Sequence, residues 1–369
     1  MQPSLPQTVL KLLSGADARL AKANVLVGLD GFVDTILHVV DKRESATKFT
    51  RVEKMKEFAK RVEAAAGLSA NFEFVTQMVK LGGNGPIMAN ALGNYGAEMT
   101  YVGNLGAPNL HPVFADFAKR TRVVSVAEPG YTDAIEFEDG KLMCGKHSSL
   151  KEVSWQTIVK HLPEKELLAL FEQSSLIALV NWTMLPFMGA IFQKLLTRIA
   201  PKLRGEKRWI FFDLADPAKR TRADIAEALG LISRFEKSFR VILGLNLQES
   251  RQIGEVIGAK LVNDSYDTVA KHAALIREKM KIDTVVVHPT SFAAAADSTG
   301  AEHVVGAYTA KPKITTGAGD HFNAGFCVGR LLGGNLAESL QMGVATSGFY
   351  VRQAKSPRLR DIKAFLKKL

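Results

Sequence analysis

The chain has 369 residues, 47% of them hydrophobic and 23% charged, the balance of a globular protein able to bury a large core. It contains no run of about 18 apolar residues, which excludes a membrane-spanning helix, and Met1-Gln2-Pro3-Ser4-Leu5-Pro6 lacks the basic-then-apolar order of a secretory leader. The formal charge of +11 suits either a nucleic-acid surface or a site for anionic small molecules. Its two clusters, Lys202 to Arg208 and Arg358 to Lys368, lack interleaved aromatics and read as solvated helix faces, not as a nucleic-acid interface. Cys144 and Cys327 lie far apart in no metal-like spacing, which fits small hydrophobes in a reducing cytoplasm.

In chain order, the first element is a buried strand at Asn24 to Leu29. Val33 to Val40 and Phe72 to Lys80 alternate like half-exposed strands and flank a charged helical insert at Lys48 to Ala65. A helix follows at Ile87 to Tyr95, then a strand at Thr100 to Gly103. A hairpin is expected from Tyr131 to Phe137, with a turn at Glu138-Asp139-Gly140 and a return at Lys141 to Cys144. Continuous apolar runs at Leu176 to Val180, Arg208 to Asp213, Arg240 to Gly244 and Asp283 to His288 suit strands covered on both faces. Between them lie helical patterns at Pro186 to Ala200, Ala218 to Lys237 and Asp267 to Lys281, and a last one covers His321 to Leu332.

Alternation of strand and helix predicts an α/β fold with a doubly wound, mostly parallel sheet. Ligands of such sheets bind beyond the carboxyl ends of the strands. The half-exposed strands and the hairpin read as a small β lid, contributed by about 33–80 and 128–148, on a single domain spanning 1–369. No internal repeat or low-complexity tract interrupts it.

Four strand-end segments could carry chemistry. Thr316-Gly317-Ala318-Gly319-Asp320 opens a helix, and its glycines let the turn point successive N–H groups into one space. The positive end of the helix dipole favours an anion there, such as a phosphoryl group in transfer. A carboxylate beside it, Asp320, could accept a proton from an attacking hydroxyl, or could simply cap the helix. Asn246 and Glu249 share a face at a helix start. They could hold Mg²⁺ and its waters around a nucleotide phosphate, or form a capping box. Gly82-Gly83-Asn84-Gly85-Pro86 brings close-approach backbone to another helix start. Asp30 and Asp34 are strand-end carboxylates able to hold sugar hydroxyls or to serve as turn residues.

In this order the segments resemble the ribokinase-like superfamily, in particular the PfkB carbohydrate kinases, over nearly the whole chain. Thr315 to Asp320 followed by Phe322, Ala324 and Gly325 is similar to that family's C-terminal signature. Asn246-x-x-Glu249 is similar to its Mg²⁺ and phosphate motif. Gly82-Gly83 with Gly103 to Gly106 is similar to its N-terminal signature, and Asp213 before Asp216-Pro217 resembles its next strand end. The resemblance implies a ribokinase-like kinase that moves the terminal phosphate of ATP to a hydroxyl of a sugar or polyol. Asp320 would be the general base, and Gly317, Ala318, Gly319 and the N–H of Asp320 the anion hole. Asp34, Gly82, Gly83 and Asn84 would contact the acceptor. Asn246, Glu249, His288 and Thr316 would serve nucleotide and Mg²⁺, with Glu249 reaching the metal through water. A cytoplasmic enzyme, dimeric through its lid, is consistent with this.

Four departures qualify the resemblance. Ile314 replaces an aspartate linked to monovalent cations, and His288 to Ala293 replaces a glycine-rich nucleotide segment. Ile87 replaces an asparagine near the substrate, and Gly28 to Asp34 is one residue longer than usual. Segments 28–34 and 82–90 look like the ADP-dependent sugar kinases, while the 317–319 turn looks like the ATP-dependent branch, which the shorter chain also favours. A nucleoside kinase is a further alternative. The altered 288–293 segment also admits a non-catalytic sugar-binding regulator on the same fold. A dinucleotide-dependent oxidoreductase would need a Gly-x-Gly-x-x-Gly turn that Gly28 to Val33 lacks.

Overall fold

The computed structural model describes residues 4–369, so the first three residues of the leader reading lie outside it. Fourteen strands occur among the described residues. In chain order they are β1 (Asn24–Leu29), β2 (Phe32–Arg43), β3 (Phe49–Arg51), β4 (Phe74–Gly82), β5 (Glu98–Gly103), β6 (Thr121–Ser125) and β7 (Gly130–Phe137), then β8 (Gly140–Lys146), β9 (Leu176–Leu179), β10 (Arg208–Asp213), β11 (Phe239–Leu245), β12 (Thr284–Val287), β13 (Phe292–Asp297) and β14 (Gly300–Val305).

Nine of them form one sheet in the order β14-β13-β12-β11-β10-β9-β1-β5-β6. The pairs from β6 through β12 are parallel, and β13 and β14 add an antiparallel edge. Every residue of β9 and β12 is buried, because helices cover both faces of the sheet. This is the doubly wound, mostly parallel α/β fold that the alternating pattern predicts. None of the described helices is long and apolar enough to cross a membrane.

The second sheet is built on β2, which pairs with β4, β7 and β3, and β7 pairs with β8. It starts only two residues after β1 ends, so it stands at the carboxyl ends of the large sheet's strands. Its small core of Val39, Val52, Phe58, Ile135 and Phe137 is separate from the two cores flanking the large sheet.

Several elements depart from the expectation. The charged insert begins as strand β3, and its helix covers only Met55–Ala64. The pattern from 186 to 200 is a helix at Met188–Lys194 that widens to a π turn over Leu195–Ile199. Strands β6, β13 and β14 were not anticipated. The helices expected from Ile87 and His321 begin earlier, as Asn84–Asn94 and Ala318–Leu331. Asn84 and Asp320 therefore sit in first helical turns and not in loops. Cys327 is buried, but Cys144 is exposed and does not act as a core hydrophobe.

Candidate active site

Gly317 is the residue before the helix Ala318–Leu331 and has φ of 86°, a left-handed conformation that favours glycine. A β-carbon there would also lie 3.2 Å from both Ile87 Cγ2 and the Tyr350 hydroxyl. The turn closes on itself, since the Ala318 N–H donates to the Thr315 carbonyl at 3.1 Å. That narrows the expected anion hole: Ala318 supplies the bend, and the N–H groups of Gly317, Gly319 and Asp320 remain for an anion at this helix N-terminus.

Asp320 follows in the same helical turn and is 8% exposed. Burial drives its pKa up to about 8, and the nearby charges of Asp30 and Glu249 add to the rise. The opposing contact is Asn84, whose Nδ2 donates to Asp320 Oδ1 at 2.9 Å and favours the charged form.

Asn84 is itself fixed by Asp30. That carboxylate accepts the backbone N–H of Asn84 at 2.9 Å, that of Gly85 at 2.8 Å and Asn181 Nδ2 at 2.7 Å. Burial raises the Asp30 pKa to about 6 against these three hydrogen bonds. Asp30 takes neither of the two expected roles: its carboxylate caps the start of the Asn84–Asn94 helix.

Asp34, on β2, lines a cavity of about 290 Å³ between the two sheets, together with Phe32, Gly83, Asn84, Ile87 and Asp320. Burial raises its pKa, opposed by Lys80, Thr132 and Lys141. Gly82 does not line this cavity. A β-carbon on it would lie 2.3 Å from the Asp34 carboxylate, so its contribution is to leave room for that group. The small sheet closes the cavity with Thr132, Met143, Gly145 and His147, and Asn181 and Lys219 complete its wall.

A second cavity, of about 410 Å³, lies on the other side of the turn. Asn246, His288, Phe292, Tyr308, Val344 and Val351 are among its lining residues, and Thr315, Ala318 and Gly319 form its border with the first. The glycine-rich turn is thus a shared wall. Thr316, Gly317 and Asp320 face one cavity, and Thr315, Ala318 and Gly319 face the other. Thr316, expected beside the nucleotide, stands on the Asp34 side.

Asn246 and Glu249 form a reciprocal capping box. Asn246 N donates to Glu249 Oε2 at 2.8 Å, and Glu249 N donates to Asn246 Oδ1 at 2.9 Å. Glu249 Oε1 accepts a third bond, from Asp216 N at 3.0 Å. Burial raises its pKa. Asp213 is held by Ala215 N at 2.8 Å and Asn323 Nδ2 at 2.9 Å, and burial with the charges of Glu249 and Asp320 puts its pKa well above the carboxylate range.

No three His, Cys, Asp or Glu side chains converge on a metal position among the described residues. The Glu249 charge, which helps raise the pKa of both Asp213 and Asp320, and the unpartnered buried Oδ1 of Asn323 nevertheless fit a cation brought in on phosphate oxygens with its own waters.

His288 packs beside Phe322 with ring centres 4.9 Å apart, and its Nε2 is buried without a partner. Burial lowers its pKa to about 4. Trp182 lines neither cavity; it is buried beneath the Arg220 guanidinium, 4.8 Å from its ring centre. Among residues that the sequence did not single out, Lys141 is the clearest. Carried on β8, its Nζ donates to Thr316 Oγ1 and so ties the small sheet to the turn. The hairpin pattern placed Lys141 on the lid, but only the fold shows what it reaches.

The family model for prokaryotic ketohexokinase matches residues 7–369. A ketohexokinase of Haloferax volcanii is 29% identical over 349 residues, which are 94% of this chain and 92% of that protein. Among solved structures, phosphofructokinase-2 from Escherichia coli in complex with substrates and products superposes with a TM-score of 0.66 at 15% identity, covering 94% of this chain and 99% of that one. Arabidopsis thaliana ribokinase complexed with ribose and ATP gives 0.62 at 16% identity, with 94% and 99% covered. These two likenesses show the ribokinase-like fold.

Proposed function

From the premise that the chain belongs to the prokaryotic ketohexokinase family, and is therefore a carbohydrate kinase with an alcohol acceptor, we propose that it transfers the terminal phosphate of ATP to a hydroxyl of a ketohexose. The observation that carries this reading is the shared wall: Thr316, Gly317 and Asp320 of one turn border one cavity, and Thr315, Ala318 and Gly319 border the other.

The acceptor occupies the cavity of Asp34. Asp34 accepts from its hydroxyls, and Gly83 and Asn84 bring backbone and side-chain polar groups against it. Asp320 takes the proton of the attacking hydroxyl, which raises oxygen nucleophilicity as the phosphoryl group arrives. The nucleotide occupies the larger cavity, where Phe292, Tyr308, Val344 and Val351 offer apolar surface to a base. Asn246 and His288 stand toward its phosphates. The N–H groups of Gly317, Gly319 and Asp320 stabilise the charge on the phosphoryl oxygens.

Mg²⁺ would arrive with the nucleotide near Glu249 and Asp213 and would neutralise phosphate charge. Glu249 acts there chiefly by holding Asn246 and the Asp216 backbone in place. The small sheet, about 33–80 and 128–148, serves as a lid on a single domain and keeps water from the phosphoryl group. Its edge strand β4 exposes Phe74, Met78 and Val79, and we assign that edge to a second copy of the chain. Light scattering distinguishes the dimer from a monomer. A cytoplasmic setting completes the reading.

The direct test is phosphorylation of a panel of ketohexoses, aldoses and nucleosides with ATP or ADP and Mg²⁺. Preferred turnover of a ketohexose with ATP is expected. Turnover only with ADP, or only of a nucleoside, would replace the corresponding half of the proposal.

A further inference from the structure

Two aromatic side chains hold the carbonyl side of the catalytic turn. The Tyr350 hydroxyl donates to the Thr316 carbonyl at 2.9 Å. His321 Nδ1 lies 2.7 Å from the Gly317 carbonyl, which also accepts the His321 backbone N–H at 3.0 Å. The two rings are stacked, with centres 3.5 Å apart and planes 14° from parallel. Neither residue lines either cavity.

Peptide planarity turns these contacts into control of the anion hole. The Thr316 carbonyl and the Gly317 N–H belong to one rigid peptide unit and point in opposite directions. Holding the first therefore aims the second. The Gly317 carbonyl shares its unit with the Ala318 N–H, which closes the turn on Thr315. Glycine at 317 leaves this unit free to rotate, so an external hold is needed to keep one orientation.

The hydrogen-bond directions around His321 are mutually consistent. A carbonyl only accepts, so Nδ1 carries the proton. Nε2 then accepts from Ser356 Oγ at 2.8 Å, and Ser356 Oγ accepts from Asn90 Nδ2 at 3.0 Å. Asn90 belongs to the helix Asn84–Asn94, whose first residue holds Asp320. One helix therefore steadies the base through Asn84 and the turn through Asn90. Burial lowers the His321 pKa to about 4, in keeping with a neutral ring.

We infer that His321 and Tyr350 are positioning residues that preset the peptide N–H groups of the 316–319 turn for the transferred phosphoryl group. The inference rests on the kinase reading above. It assigns a role in the reaction to a histidine that touches neither substrate.

Two measurements test it. In Tyr350→Phe, which keeps the stack and removes only the hydroxyl, kcat should fall by about tenfold while KM for the sugar stays within about twofold. His321→Ala should show the same split, and the double variant should lose less than the product of the two single losses, because the rings act as a unit. Unchanged kcat in Tyr350→Phe, with active wild-type enzyme, overturns the inference and leaves the kinase reading standing. Wild type inactive on every sugar overturns the kinase reading itself. Independently of turnover, ¹⁵N NMR of His321 in the wild-type protein should show a neutral ring protonated at Nδ1 at neutral pH. An Nε2-protonated or charged ring there would also overturn the inference.

Discussion

Asn84 Nδ2 donates to Asp320 Oδ1 across 236 residues of sequence, at 2.9 Å, and both residues lie in the first turns of helices that start at glycines. The contact joins the segment facing the acceptor to the proposed base. It is also the strongest influence favouring the charged form of a carboxylate that burial pushes toward neutrality.

The pH dependence follows. A general base works only when ionised, so turnover should rise with pH as Asp320 loses its proton from a pKa raised to about 8 in the free protein. Asn84→Ala removes a contact that lowers this pKa. The acid limb of the sugar kcat/KM profile should therefore move to higher pH. A limb that stays in place would separate Asn84 from the base.

Gly82→Ala should act through Asp34. Its new β-carbon would meet the carboxylate at 2.3 Å, so Asp34 must move. KM for the sugar should rise by about tenfold or more, the equivalent of one lost charge-assisted hydrogen bond. KM for the nucleotide should hold. Equal changes in both would point to a general distortion of the site.

Lys141 couples lid and turn through Thr316. Half-buried beside that turn, it has its pKa lowered by burial. Lys141→Met should lower kcat by about tenfold, the scale of one lost charged hydrogen bond that holds the turn. Steady-state kinetics of the purified variant with the preferred sugar gives the answer.

Glu249 offers a contrast. Its two oxygens hold two backbone N–H groups, those of Asn246 and Asp216, so Glu249→Ala should cost about 1–2 kcal/mol of stability in denaturant unfolding. If it also reaches the metal through water, the milder Glu249→Gln should raise the Mg²⁺ concentration needed for half-maximal turnover. An unchanged requirement would confine Glu249 to its structural role.

The large sheet was legible because β1, β9, β10, β11 and β12 are continuous apolar runs that only a doubly covered strand requires. Strand β13 was not, because Phe292-Ala293-Ala294-Ala295-Ala296-Asp297 has no β-branched residue and reads as helix-forming by propensity. The helix starts at Asn84 and Ala318 were missed for a related reason. Glycines depress helical propensity locally, while the Asp30 cap of the first lies more than fifty residues away in sequence.

Motif order led to the segments of the site, but not to their sides. Which face of the turn Thr316 occupies, and whether Gly82 touches sugar or merely makes room for Asp34, are matters of distance that no one-dimensional pattern carries. The same is true of His321, whose place at the start of a helical pattern does not show that its ring stacks on Tyr350.

The central claim is that Asp320 is the base at a wall shared by two substrate cavities, and Asp320→Asn tests it most directly. The substitution keeps the shape and removes a buried carboxylate that prefers to be neutral. The folded protein binds that proton more tightly than the unfolded chain, so the variant's melting temperature above pH 8 should equal or exceed that of wild type. Against that intact fold, ATP-dependent phosphorylation of the preferred sugar should fall by at least about 10²-fold. Full turnover by the folded variant would contradict the claim.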